Sequence, residues 1–385
     1  MVDRGEGACY FIVNRYINVI VHRLVSRRPR GSERKKREMF FPLNINVNVA
    51  KEPADGGADS TMGNDVMKAF GMKPFIERRA DPYILEKDGW YYFTASVPEF
   101  DRVILRKSRR LKDLADAAEK IVWTRHADGE MSCNIWAPEI HFVDGAWVIY
   151  FAASRGGPDE EGCYDHRTYA LINRNEDPME GGFQEAGRID TGWESFTIDS
   201  TVTEFEGKRY FIWAQRDRSI PGNSNLYIAR MKSALELELP GTRLSIPEYD
   251  WECQGFKVNE GPGCLQHGGN LYLTYSGSAT DERYAVGMLT LKAGKDPLDA
   301  ANWEKSPTPV MVTEEWNCLY GPGHNSFTRD EAGNDILVFH ARPYPGFRGT
   351  ALSDPNRHCH LRKVRYTEEG VPILKDEEGR TECRA

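Results

Sequence analysis

Asp88-Gly89-Trp90-Tyr91-Tyr92-Phe93-Thr94 combines a tight turn with a following run of apolar and aromatic residues that favours a β-strand. Four further stretches of the chain have the same form, and their turn glycines are Gly145, Gly207, Gly269 and Gly333. Counted from Gly89, the spacings between successive glycines are 56, 62, 62 and 64 residues. A repeat of this length, built from short strands and turns, suits the four-stranded blade of a β-propeller and is too long for a helical solenoid.

Upstream of each turn glycine, a residue of a recurring motif stands at a nearly constant distance. Asp81, Ala137 and Asp199 lie eight residues before their glycines, and Glu260 and His324 lie nine residues before theirs. Because equivalent positions in every blade face equivalent space, we expect these residues to face the central channel. The sequence therefore predicts an all-β, five-bladed β-propeller with four-stranded blades around a central channel. Three carboxylates and a histidine should meet in one axial pocket.

The chain has 385 residues and a net charge of −8. The repeats predict one catalytic propeller over residues 75–373, preceded by an N-terminal extension (1–74) and followed by a C-terminal tail (374–385). The extension contains a basic run at residues 27–38, and we interpret it as disordered or as the product of a misassigned start codon. The acidic net charge argues against nucleic acid as a partner. No apolar stretch approaches the roughly 20 residues of a membrane span, so no membrane partner is expected either.

Eight cysteines are spread along the chain without a CxxC pair. In a chain of this length they are typical of reduced thiols. The apolar run that begins at residues 9–13 is soon interrupted by polar and basic residues, which is a poor match to a secretory signal peptide. Together these features predict a cytoplasmic protein that acts on imported oligosaccharides. Nothing in the sequence indicates an oligomeric state.

The three carboxylates suit glycoside hydrolysis, which needs one carboxylate as a base and one protonated carboxylic acid. Asp81 precedes Pro82, which favours an extended backbone, although an isolated Asp-Pro is more often only a turn. Asp199 lies between strand residues, where an unpaired carboxylate would be costly. Neighbouring carboxylates raise one another's pKa, and this can keep a group such as Glu260 protonated at neutral pH.

Five motifs, in order, resemble glycoside hydrolase family 43, the five-bladed propeller family of α-L-arabinofuranosidases, endo-arabinanases and β-xylosidases. They are Ala80-Asp81-Pro82-Tyr83, Trp136-Ala137-Pro138-Glu139, Ile198-Asp199, Asn259-Glu260-Gly261-Pro262 and Gly321-Pro322-Gly323-His324-Asn325. The resemblance implies that Asp81 is the general base, Glu260 the general acid, and Asp199 the residue that tunes the pKa of the acid and orients it. Family members often have histidine where Ala80 stands.

The resemblance also implies residues that contact the substrate. Trp136 is expected to stack on a sugar or, alternatively, to pack between blades. Arg342 matches an arginine that reaches the hydroxyls of the terminal sugar, and the alternative is an interblade salt bridge. His324 is expected at the floor of the channel, with a structural or electrostatic role beside the substrate. It could hold an optional calcium or sodium ion through water, but no cofactor is expected to be required.

The function predicted from these motifs is exo-acting α-L-arabinofuranosidase activity, with inversion, on terminal residues of arabino-oligosaccharides in arabinan degradation. The stretches at residues 94–102 and 275–280 resemble the exo-arabinofuranosidase branch more than the xylosidase branch. A β-xylosidase and an endo-arabinanase of the same family remain the alternatives. A non-catalytic sugar-binding propeller would be expected to lack at least one axial carboxylate, and here all three are present.

Overall fold

The structure is a computed structural model that describes residues 73–158 and 164–376. Within these residues the chain is almost entirely β-strand, and its helical segments are 3-10 turns of three to five residues. None of the helices in this part of the chain is long and apolar enough to cross a membrane. The predictions for the N-terminal extension and the C-terminal tail fall almost wholly on residues 1–72 and 377–385, which lie outside the described residues.

The strands form five antiparallel blades, and within each blade chain order follows spatial order. The first blade contains β1 (Ala80–Lys87), β2 (Trp90–Ser96), β3 (Arg102–Ser108) and β4 (Lys120–Thr124). The second contains β5 (Cys133–Val143), β6 (Ala146–Ser154), β7 (Arg167–Asn173) and β8 (Gln184–Arg188). The third contains β9 (Thr197–Phe205), β10 (Lys208–Gln215), β11 (Asn225–Arg230) and β12 (Thr242–Ser245).

The fourth and fifth blades complete the ring. The fourth contains β13 (Asn259–His267), β14 (Asn270–Gly277), β15 (Ala285–Leu291) and β16 (Trp303–Lys305). The fifth contains β17 (Tyr320–Arg329), β18 (Asp335–Arg342) and β19 (His358–Lys363), followed by a hairpin of β20 (Arg365–Tyr366) and β21 (Pro372–Ile373). The first strand of each blade contacts the first strands of its two neighbours, β17 meeting β1, so these five strands line the axis.

The fifth blade is completed by residues from the beginning of the described chain. The amide of Phe75 donates to the carbonyl of Cys359 at 2.8 Å, and the amide of Cys359 donates to the carbonyl of Ile76 at 2.9 Å. Ile76 therefore forms an antiparallel bridge on the outer edge of β19. This pairing joins the two ends of the propeller, and the predicted architecture of five blades is confirmed.

The apolar core is divided among the interfaces between blades. Each of five buried clusters draws most of its side chains from two neighbouring blades. At the closing interface, for example, Ile76 and Ile84 pack with Val338. Because apolar burial between blades holds the ring together, the starts of the inner strands are left to carry polar residues toward the axis.

Candidate active site

Every inner strand carries a β-bulge close to its start. The bulged residues have left-handed backbone angles, with φ of 52° at Asp81, 46° at Ala137, 45° at Asp199, 56° at Gly261 and 41° at His324. The pairing register shifts at the same point in all five blades. A bulge re-aims a side chain, and residues other than glycine rarely adopt positive φ unless the surroundings enforce it. The repeat therefore points one residue from each blade at the axis.

Glu260 departs from the register expected from the sequence. It pairs with Ser276 and stands one residue before the bulge of its blade, which is occupied by Gly261. A Cβ atom at position 261 would lie 3.1 Å from Cα and Cγ of His324, so the bulge here requires glycine. The carboxyl group of the fourth blade consequently comes from the preceding residue. In the fifth blade, His324 does occupy the bulge. It lies nine residues before Gly333 because the turn of this blade is longer and spans residues 330–334.

Asp81 lies beside one guanidinium and two imidazoles. Its Oδ1 atom is 3.4 Å from Nη1 of Arg357, 3.4 Å from Nδ1 of His324 and 3.3 Å from Nδ1 of His340. The backbone amide of Asp81 also donates to Nδ1 of His340 at 3.1 Å. Burial disfavours the charged carboxylate, but Arg357 and the two imidazoles outweigh it and hold the pKa of Asp81 well below its ordinary value. Asp81 is therefore ionised at neutral pH.

The surroundings of Glu260, in contrast, favour its protonated form. Burial, assisted by the negative charge of Asp81, raises the pKa of Glu260 to about 7, although a hydrogen bond from Tyr284 and the charge of Arg357 oppose the shift. The hydroxyl of Tyr284 donates to Oε1 of Glu260 at 2.9 Å. At neutral pH a substantial fraction of Glu260 is therefore protonated, beside an ionised Asp81.

Asp199 connects the third blade to the strand that carries Glu260. Its Oδ2 atom accepts a hydrogen bond from the backbone amide of Gly261 at 3.1 Å. Burial and the charges of Glu260 and Asp81 raise the pKa of Asp199 well above its ordinary value. Asp199 and Glu260 therefore titrate as a pair that retains a proton to higher pH than isolated carboxyl groups would.

His324 lies between two of the carboxyl groups, with Nδ1 3.4 Å from Asp81 and 3.7 Å from Asp199. Burial lowers its pKa, so the imidazole is neutral at neutral pH. The described residues contain no group of three or more His, Cys, Asp or Glu side chains able to hold a metal ion. His324 therefore does not belong to a cage of protein ligands, and an optional ion bound through water stays a prediction.

The two remaining residues predicted to bind substrate make other contacts. Trp136 is half-buried, and its ring stacks on His166 with centroids 4.0 Å apart. Arg342 is fully buried, and its guanidinium donates to the carbonyls of Thr280 at 2.7 Å and Ala351 at 2.5 Å. Arg342 thus joins two loops, and Arg357 is the arginine that contacts Asp81.

The sequence analysis did not identify three residues that lie at the site: Arg357, His340 and Tyr284. His340 lies in β18, two residues before Arg342, whose predicted contact with the sugar stays a prediction. Arg357 lies just before β19, in a loop without a motif, and Tyr284 lies just before β15. Conservation of these polar positions among homologues would be the signal that identifies them.

Comparison with known proteins identifies the family to which the chain belongs. The sequence profile described as Glycosyl hydrolases family 43 matches residues 72–372. This match covers most of the chain, and the chain therefore belongs to glycoside hydrolase family 43, as its motifs predicted.

Individual relatives of the chain are described as arabinofuranosidases. The chain is 46% identical over 301 residues to a Streptomyces avermitilis protein described as an extracellular exo-α-(1→5)-L-arabinofuranosidase; the match covers 78% of this chain and 62% of that protein. A Streptomyces chartreusis protein of the same description is 47% identical over 273 residues, covering 70% and 82%. The crystal structure of an α-L-arabinofuranosidase from Lactobacillus brevis has a TM-score of 0.77 and 46% identity, covering 79% of this chain and 96% of its own.

The predicted cytoplasmic location is wrong, because both Streptomyces relatives are described as extracellular. The prediction depended partly on the absence of a cysteine framework. The cysteines of the described residues are indeed unpaired. However, a domain of about 300 residues buries enough surface to be stable without disulfides. Unpaired cysteines therefore do not indicate whether such a protein is intracellular or secreted.

Proposed function

We propose that this protein is an exo-acting α-L-arabinofuranosidase that removes terminal arabinofuranosyl residues from arabino-oligosaccharides with inversion. The observation that carries the proposal is the division of charge within one axial cluster: a low pKa at Asp81 and a pKa of about 7 at Glu260. Such a division supplies a base and an acid at the same pH. The identity to the Streptomyces and Lactobacillus arabinofuranosidases supports the choice of sugar.

In the proposed mechanism, Asp81 removes a proton from a water molecule as the oxygen of that water attacks the anomeric carbon. Glu260 gives its proton to the glycosidic oxygen as the bond between this oxygen and the anomeric carbon breaks. The new bond forms on the face opposite the leaving group, so the configuration inverts. Glu260 ends as a carboxylate and Asp81 as a carboxylic acid. Proton exchange with solvent then restores both groups.

Asp199 and His324 are positioning residues in this proposal. Asp199 holds the amide of Gly261 and so fixes the backbone next to the acid, and it titrates as a pair with Glu260, so the second proton of the pair leaves against the charge left by the first. Neutral His324 fills the space between Asp81 and Asp199 and offers a single Nδ1 to both. Trp136 and Arg342, given their observed contacts, support the pocket wall and its loops.

A comparison of two aryl glycosides tests the function. The protein should release p-nitrophenol from the α-L-arabinofuranoside with a much higher kcat/KM than from the β-D-xyloside. A preference for the xyloside would identify a β-xylosidase, and turnover of neither compound would favour a binding protein. Linear arabinan should lose single arabinose units with a slow fall in viscosity, whereas a rapid fall would indicate endo cleavage.

A further inference from the structure

A broad groove of about 810 Å³ opens between the fourth and fifth blades. Its lining residues lie within three segments: 251–254 before β13, 282–285 between β14 and β15, and 309–316 before β17. These segments adjoin the starts of β13 and β17, where Glu260 and His324 are located. The groove therefore opens on the face of the propeller that carries the axial carboxyl groups.

The surface of the groove combines apolar faces with hydrogen-bonding groups. Trp316 and Val312 are 38% and 39% exposed and line the same groove, so they form an apolar patch together. Trp251 stacks on Tyr275 and presents part of its ring to the same groove. Gln254 supplies an exposed amide beside them. Sugar rings need this combination, because their C–H faces pack on aromatic rings while their hydroxyls take hydrogen bonds.

Tyr284 joins the groove to the catalytic carboxyl group. It is one of the residues that line the groove, and its hydroxyl donates to Oε1 of Glu260 at 2.9 Å. The groove therefore ends one side chain away from the proposed acid. In an inverting hydrolase the acid faces the glycosidic oxygen that departs. A saccharide attached to that oxygen would consequently extend toward this groove.

We propose that the groove between the fourth and fifth blades is the leaving-group subsite. It binds the arabinofuranosyl residues on the far side of the scissile bond, and Trp316 provides the ring on which one of them packs. The proposal rests on the proposed function and adds the location of substrate recognition. A second groove, between the second and third blades, is lined by charged residues such as Arg155, Arg167 and Glu194. Glu260 lines neither groove, and the hydrogen bond from Tyr284 to Glu260 favours the groove between the fourth and fifth blades.

The test compares Trp316→Ala with Trp193→Ala. Trp193 is a matched control, since it is 36% exposed and lies before the third blade, away from the groove. For each protein, kcat/KM is measured on linear α-1,5-arabinotriose and on p-nitrophenyl α-L-arabinofuranoside. The triose places two sugars in the leaving group, whereas the aryl compound places one small ring there. The ratio of the two kcat/KM values isolates recognition of the leaving group from loss of folded enzyme.

Trp316→Ala should lower this ratio about ten-fold, the loss expected for one aromatic packing surface, whereas Trp193→Ala should change it less than about two-fold. Trp316→Phe, which keeps a ring, should restore most of the ratio. An unchanged ratio in Trp316→Ala, or an equal fall in Trp193→Ala, would overturn the location of the subsite. If the wild-type protein hydrolyses neither compound, the proposed function fails and the subsite with it, so the two failures can be told apart.

Discussion

Asp81 and Glu260 show how the same functional group acquires two protonation states from its surroundings. Both carboxyl groups lie in one axial cluster, but Arg357 lies against Asp81, while Glu260 is partly buried and accepts a hydrogen bond from the hydroxyl of Tyr284. Desolvation acts on both, so the difference comes from the partner that favours the charged form of Asp81. The activity should therefore decline as the pH rises through about 7, where Glu260 loses its proton.

Tyr284→Phe should move this basic limb of the pH–rate profile upward. The hydrogen bond from Tyr284 favours the carboxylate form of Glu260 and so lowers its pKa. Its removal takes away one of the two influences that oppose burial, the other being the charge of Arg357, and the acid then holds its proton to higher pH. The profile of kcat/KM against pH measures the shift, with wild-type enzyme as the control. A downward shift would contradict the assigned role of this hydrogen bond.

Asp199→Asn should move the same limb downward. Asp199 and Glu260 titrate as a pair, and neutralising one member removes a negative charge that favours proton retention by the other. Asparagine keeps an oxygen that can accept from the amide of Gly261, so the backbone contact survives. An unchanged basic limb, measured on folded protein, would show that Asp199 acts on the geometry of Glu260 and not on its pKa.

Glu260→Ala should impair oligosaccharide hydrolysis far more than hydrolysis of p-nitrophenyl α-L-arabinofuranoside. A sugar alkoxide needs protonation to leave, whereas nitrophenolate is stable enough to leave with little help. General acid catalysis contributes roughly 100- to 10,000-fold, so kcat on arabinotriose should fall within that range. Equal losses on both substrates would argue against Glu260 as the acid. Wild-type activity on the triose would exclude this role.

At the scale of elements, the inner strands explain why part of the site was predictable and part was not. A turn followed by an apolar strand is a local pattern, and five copies of it predict the blades and the axial position of Asp81, Asp199 and His324. The single-residue displacement of Glu260 was hidden, because it depends on the space that His324 leaves for Gly261. That contact exists only once the fourth and fifth blades have packed against each other.

Residues contributed by loops were missed for a related reason. Arg357 reaches Asp81 across 276 positions of sequence, and no periodicity or motif predicts such a contact. Arg342 was predicted from its motif to reach the sugar, and in the structure its guanidinium donates to the carbonyls of Thr280 and Ala351. Motifs on strands thus predicted the positions of the axial residues, whereas the contact of Arg357 with Asp81 depends on how a loop packs.

Ring closure by Ile76 can be tested through stability. Ile76→Ala removes a side chain that is 5% exposed at the interface between the first and fifth blades. The free energy of unfolding should fall by about 2–5 kcal/mol, the usual effect of truncating a buried aliphatic residue. Ile121→Ala is the matched control, since Ile121 is 54% exposed and should change stability by no more than about 0.5 kcal/mol. Urea denaturation measures both, and similar values for the two variants would contradict the role of Ile76 in closure.

The propeller as a whole brings together groups that are far apart in sequence. Apolar clusters between blades fix the ring, and the bulges of the five inner strands point toward a common axis. The proposed acid, base and positioning residues thus come from four different blades. A groove between two blades then leads away from the acid. The arrangement gives the axis the chemistry of a glycoside hydrolase and leaves recognition of the substrate to the loops at the blade ends.

The anomeric configuration of the first product tests the account most directly. Proton NMR can follow the anomeric signal of arabinose released from an α-L-arabinofuranoside before mutarotation mixes the two forms. With Asp81 activating water on the face opposite Glu260, the first signal should belong to the β-anomer, followed by slow appearance of the α-anomer. Initial release of the α-anomer would mean retention through a glycosyl-enzyme intermediate, and it would contradict the roles proposed for both carboxyl groups.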